Sequence, residues 1–199
     1  MIIVDAKQGS PEWFKARCGL PTASRFNELI TVEGKPSKQR MRYLYGLAGE
    51  KVAGTAPETY QNAAMLRGTE LEAEARQLFE LVHGVEVRQV GLCLEDLKAW
   101  GCSPDGLIGE DSGLEIKCPM IHTHVEYLLD GGLPADYFQQ VQGAMLVTGF
   151  SHWWFMSYYP GLKPLIVDVK RDGVYINKLR EELEKFCFEL NDIVEKIGG

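Results

Sequence analysis

The sequence predicts an α/β domain with a central mixed sheet flanked by helices, and three observations carry that expectation. Residues 10–82 repeat apolar positions at helical spacing, with cap and stop signals between the runs. Residues 85–118 change to short apolar and β-branched runs broken by glycine and polar turns. Beyond residue 120 the two patterns alternate, which is how strands reached by helical crossovers join a sheet.

Ser10-Pro11-Glu12 opens the first helix, with Ser as N-cap and Pro in the first turn, and Gly19 marks its stop. A short helix from Thr22 carries Phe26, Leu29 and Ile30. Ser37 to Val52 is a third helix, ended by Gly54. Asn62 to Val82 is a fourth, with Leu71, Ala75, Leu78, Phe79 and Val82 on one face and Gly84 as the stop. Val85, Val87, Val90, Leu92 and Leu94 then predict a strand with a bulge or shift near Gly91. Ala99–Ser103 and Gly113–Cys118 are expected as two further strands, joined into a hairpin by the polar turn Gly106–Ser112. Helices are expected over His122–Leu129 and Pro134–Val147, and strands over Ser151–Tyr159 and Pro164–Val169. A long final helix has the stripe Leu179, Leu183, Phe186, Leu190, Ile193 and Ile197.

No linker or repeat divides the 199 residues, so a single domain spanning 1–199 is expected. No run approaches the roughly 18 apolar residues of a membrane span, and the N-terminus lacks a signal-peptide pattern. A cytoplasmic chain with no membrane partner follows. Cys18, Cys93, Cys102, Cys118 and Cys187 are scattered and form no CxxC pair, which counts against a disulfide framework, zinc or an iron–sulfur cluster. The net charge of −7 argues against a protein that coats nucleic acid through general basicity, because phosphate neutralisation supplies most of such affinity.

The chemistry-bearing segment is Ser103-Pro104-Asp105-Gly106 followed by Gly113-Leu114-Glu115-Ile116-Lys117-Cys118-Pro119. On a strand, Glu115 and Lys117 project from one face while Leu114 and Ile116 point into the core. A hairpin returns Asp105 to Glu115, so two carboxylates and an ammonium meet at one sheet edge. Crowded carboxylates need compensation, and a hard divalent cation supplies it; oxygen donors suit Mg²⁺, with Mn²⁺ substituting. The backbone carbonyl of Ile116 is an additional oxygen donor. Lys117 would orient a water or stabilise a pentavalent phosphorus. Glu72 joins this set because Gly68, one turn before it on the same helix face, leaves room for metal or DNA. The competing reading of PD…ExK taken alone is an ordinary surface hairpin with a Glu–Lys pair.

The segments Glu12–Arg17 with Thr22-Ala23-Ser24, Gly68…Glu72…Ala75-Arg76…Leu78-Phe79-Glu80, Cys102–Leu107, Gly113–Pro119, and Gln140-Val141-Gln142 with Val147-Thr148 occur in a recognisable order. In them the chain, from about Trp13 to Tyr159, resembles the lambda-type phage exonucleases. These form the YqaJ-like viral recombinase group of the PD-(D/E)XK nuclease superfamily. The resemblance implies that Asp105, Glu115 and Glu72 hold one or two Mg²⁺ ions and that Lys117 is the catalytic lysine. Gln140 matches the family's active-site glutamine, and Arg17 and Ser24 match the positions receiving a 5′-terminal phosphate. It also implies digestion of one strand of double-stranded DNA, 5′ to 3′ from an end, leaving 3′ overhangs for homologous recombination. A homotrimeric ring around DNA and a single-strand annealing partner belong to the same implication. With a ring, basic residues need only line the channel, and Lys35, Lys38, Arg40 and Arg42 are the local candidates. Met65 matches the family's apolar wedge at the strand-separation point.

Three alternatives stay open at this stage. One is a restriction- or repair-type endonuclease; another is a noncatalytic DNA-end-binding recombination protein. The third uses His122 and His124 as metal ligands, although that pair has no third ligand. The aromatic run Trp153-Trp154-Phe155 with Tyr158-Tyr159 is expected in core and interface packing rather than stacked on bases.

Overall fold

The computed structural model describes residues 1–55 and 63–198, and the side chains of 63–65 lie outside the described set. Its strands are β1 (Ile2–Val4), β2 (Leu92–Leu94), β3 (Gly101–Cys102), β4 (Gly106–Ile108), β5 (Ser112–Lys117), β6 (His152–Ser157) and β7 (Leu165–Lys170). Its helices are α1 (Pro11–Arg17), α2 (Phe26–Leu29), α3 (Arg40–Ala53), α4 (Ala63–His83), α5 (Ile121–Asp130), α6 (Phe138–Thr148) and α7 (Gly173–Ile197). Short 3₁₀ turns, Ala23–Arg25 and Ala135–Tyr137, lead into α2 and α6. The helices start and stop where local chemistry dictates: Ser10 accepts from the Trp13 N–H at α1, and left-handed glycines end α3, α5 and α6. Asn62, the expected start of α4, lies outside the described residues.

The strands do not form one sheet. β1-β2-β3 is a small antiparallel sheet, and β4-β5-β6-β7 is the mixed one, with β5 and β6 parallel. The division falls at Ser103-Pro104-Asp105, where a proline has no N–H for a ladder and the chain turns from one sheet to the other. This corrects the expected hairpin. Ala99–Ser103 contributes only Gly101–Cys102, which pairs with β2; the partner of β5 is β4, taken from the residues expected to be turn. The true turn is 109–111, with Gly109 at φ 58°. The expected strand across 85–94 shortens to β2, with a single bridge at Arg88 to Leu107. The shift expected near Gly91 has a clear cause: a Cβ there would stand 1.6 Å from the Ala6 carbonyl oxygen. β1 carries too few residues for a readable period.

The mixed sheet is buried on both faces. Leu114 and Ile116 of β5, with Met156 of β6, pack against Ala75 and Phe79 of α4. Trp153 and Phe155, on the opposite face of β6, belong to the larger core with α2, α3, α6 and α7. Leu179, Leu183, Phe186 and Leu190 anchor α7 there, while Ile193 is half-buried and Ile197 is mostly exposed, where the stripe runs off the core. The aromatic run is indeed packing: Trp153, Phe155 and Tyr158 are buried, and Trp154 lies against Phe79 and His83. Among the described residues no helix is long and apolar enough to cross a membrane.

Candidate active site

Asp105, Glu115 and Lys117 meet at the β4–β5 edge of the mixed sheet. The Asp105 N–H donates to the Leu114 carbonyl at 3.1 Å, and its Oδ2 accepts from the Ile116 N–H at 2.6 Å. Lys117 donates to Glu115 Oε1, and Gln140 of α6 donates to the same oxygen at 2.6 Å. Glu115 is only 3% exposed, so this carboxylate sits under α6 rather than on a solvated hairpin. The surface-pair reading is thereby excluded. From α4, Glu72 Oε1 accepts from Arg76.

One pattern runs through all three carboxylates. Asp105 Oδ2, Glu72 Oε1 and Glu115 Oε1 are each held by protein donors. Among the described residues no protein hydrogen bond reaches Asp105 Oδ1, Glu72 Oε2 or Glu115 Oε2. The groups are therefore oriented with one oxygen each to spare. Burial pushes Glu115 up to about 7 against the pull of Lys117, and Asp105 raises it further. Burial likewise raises Asp105, and burial with the Asp105 charge raises Glu72. Burial opposes the charge on Lys117, but Glu115 and Asp105 outweigh it and hold the ammonium above its ordinary range.

Among the described residues no three His, Cys, Asp or Glu side chains are gathered closely enough to enclose an ion unaided. Mg²⁺ does not require that: it keeps waters, takes one or two carboxylates and completes its shell with substrate phosphate. One buried and two partly buried carboxylates that repel one another and keep spare oxygens fit such an ion. The HxH alternative fails. His124 is fully buried, with Nδ1 2.8 Å from Ser157 Oγ and Nε2 3.1 Å from the Lys163 carbonyl, while His122 lies exposed on the helix.

A second cluster adjoins the first. Arg17 stacks over Trp13 at 4.3 Å and donates to Ser103 Oγ at 2.8 Å, Thr22 Oγ1 at 3.1 Å and Ser24 Oγ at 3.4 Å. A small cleft links Ser24 and Ser103 of this cluster to Glu115 and Gln140. Ser103 and Thr22 join the site through Arg17, and the only sequence signal for them is position, beside Pro104-Asp105 and two residues before Ser24. The basic candidates lie elsewhere and differ among themselves. Lys35, Lys38 and Arg42 are exposed. Arg40 instead forms a two-pronged pair with Glu189 and lies over Phe186, so its charge is neutralised within the protein. Met65 lies in the first turn of α4, and its side chain lies outside the described residues.

Gly68 lies inside α4, yet among the described residues a Cβ there would meet nothing within 4 Å. A helix-interior glycine costs about 1 kcal/mol relative to alanine, and packing among the described residues gives no reason for it. Gly68→Ala is expected to raise stability by roughly 0.5–1 kcal/mol in urea unfolding, while weakening DNA binding. Unchanged DNA affinity would show that the open space is not used.

This mixed sheet, with two carboxylates and a lysine beside a glutamine helix, has the fold of known exonucleases. The chain belongs to the YqaJ-like viral recombinase family, whose model matches residues 12–151. It is similar to an alkaline exonuclease, LHK-Exo, from Laribacter hongkongensis, at 35% identity and a TM-score of 0.86, over 94% of this chain and 96% of that one. LHK-Exo in complex with dAMP matches equally well. A phage-related exonuclease from Haemophilus somnus 129PT shares the fold at 15% identity and a TM-score of 0.72, over 90% of this chain and 96% of that one. No curated protein sequence matches.

Proposed function

We propose that the chain is a Mg²⁺-dependent exonuclease of the PD-(D/E)XK type. It digests one strand of duplex DNA 5′ to 3′ from a double-strand end and leaves 3′ overhangs for strand annealing. The observation that carries this reading is the cleft shared by Ser24, Ser103, Glu115 and Gln140. A terminal phosphate received by Arg17 and its hydroxyl neighbours leaves the adjoining phosphodiester beside the carboxylates. A guanidinium suits that task because its planar fork meets phosphate oxygens in pairs. The dAMP bound by the Laribacter relative supports a nucleotide ligand.

Glu72, Asp105, Glu115 and the Ile116 carbonyl are the donors for Mg²⁺, or for Mn²⁺ in its place. A bound ion supplies Lewis acidity toward the phosphodiester and a water of lowered pKa. The rest falls to the chain. Lys117, held protonated, donates to an oxygen on which charge develops rather than acting as a base. Gln140 fixes the Glu115 rotamer by donating to Oε1, which leaves Oε2 for the ion. Lys35, Lys38 and Arg42 are the exposed cations available to line a channel in a homotrimer, and a single-strand annealing protein is the partner for the product.

The test incubates linear and covalently closed duplex DNA with Mg²⁺ and follows each strand end. Loss of labelled 5′ ends from linear DNA, with closed circles intact, is expected. Cutting of the circles would favour an endonuclease, and binding without cutting a noncatalytic end-binding protein.

A further inference from the structure

Arg76 is the most heavily engaged cation beside the carboxylates, and the chemistry above does not use it. It is 8% exposed and stands one turn after Glu72 on α4. It donates to the Glu72 carboxylate, and its Nε donates to the Asp105 carbonyl at 3.2 Å. Gln89, its amide oxygen turned to the guanidinium, accepts from Nη1 at 2.7 Å and Nη2 at 3.1 Å. One planar group therefore spans α4, the segment before Gly91 and the turn before β4. A buried guanidinium requires such partners, and its rigid fork transmits their geometry from one segment to the next.

We propose that Arg76 is a positioning residue for metal binding, one that sets the orientation of the Glu72 carboxylate relative to Asp105 before any ion arrives. This rests on the metal-nuclease reading. Groups that hydrogen-bond metal-ligating carboxylates typically contribute 10–100-fold in metal affinity. The guanidinium charge itself opposes a cation, so removing it would mix two effects of opposite sign. Arg76→Lys avoids this: it keeps the charge and loses the fork.

The experiment titrates Mn²⁺ into the full chain without DNA, reading free Mn²⁺ by electron paramagnetic resonance. Arg76→Lys is expected to bind about tenfold more weakly than the unmodified chain. In a Glu72→Ala background the same substitution should cost less than about threefold, because the effect passes through Glu72. Equal binding by Arg76→Lys, or an undiminished effect in the Glu72→Ala background, overturns the proposal. If thermal unfolding shows that Arg76→Lys does not fold, Gln89→Ala decides: it loosens the guanidinium from an exposed position, and unchanged Mn²⁺ affinity overturns the proposal. Failure of the unmodified chain itself to bind Mn²⁺ both without DNA and with a 5′-phosphorylated duplex present would instead defeat the metal-nuclease reading.

Discussion

Asp105→Ala, Glu115→Ala and Lys117→Ala are each expected to reduce Mg²⁺-dependent cleavage of linear duplex DNA by about a thousandfold or more, the scale of losing a preorganised charge at the reacting centre. Full activity in any of the three, or activity of the unmodified chain in EDTA, would sink the mechanism. The isosteric variant Glu115→Gln separates chemistry from folding. In the metal-free protein Glu115 is held near pKa 7, against an ordinary value of 4.5. Between those values the folded chain holds a proton that the unfolded chain releases, so metal-free stability falls as pH rises through this window. The raised values of Asp105 and Glu72 act in the same direction. Lys117 stays protonated in both states over this range and leaves the slope unchanged. The EDTA-treated chain should therefore lose Tm from pH 5 to pH 7, and Glu115→Gln should lose less while remaining inactive. A Tm profile identical in the two proteins would show that Glu115 is not strained by its neighbours.

Arg17→Ala carries the second large effect. Charge-assisted hydrogen bonds are worth about 1.5–3 kcal/mol, which corresponds to a loss of roughly 10–150-fold in kcat/KM on 5′-phosphorylated ends. Ends bearing a 5′-hydroxyl should be nearly unaffected. Arg17→Lys should fall between, since an ammonium keeps the charge without the fork that reaches Ser103, Thr22 and Ser24. Equal slowing on both kinds of end would remove Arg17 from phosphate recognition and leave it as a partner of Trp13.

Much of the fold is local chemistry and was legible for that reason. Ser10, Gly54 and Gly84 mark helix ends through interactions within a few residues of themselves. The period-two placement of Glu115 and Lys117 against Leu114 and Ile116 likewise needs nothing beyond the strand. Strand partnership was not legible. Cys102 and Leu107 are equally apolar, and only Pro104 between them hints that they serve different sheets. The same limit hid the roles of Ser103 and Arg76. Their partners, Arg17 for one and Gln89 with the Asp105 carbonyl for the other, lie far along the chain and are chosen by packing. Arg40 shows the converse: a basic run looked uniform until Glu189 of α7 claimed one member.

The parallel pairing of β5 with β6 has a consequence in time as well as in space. Strands that run the same way cannot be joined by a tight turn, so residues 118–151, including α5 and α6, form the crossover. Gln140 rides within that crossover, and the ladder reaches Lys117 only when Ser157 is in register beside it. Closing so long a loop is slow and is favoured only after the contacts on its far side exist. During synthesis the carboxylates emerge early, but the strand and the glutamine that fix Glu115 follow well behind. A ribosome-bound chain that ends before α6 therefore carries every acidic residue of the site without the glutamine that aims Glu115.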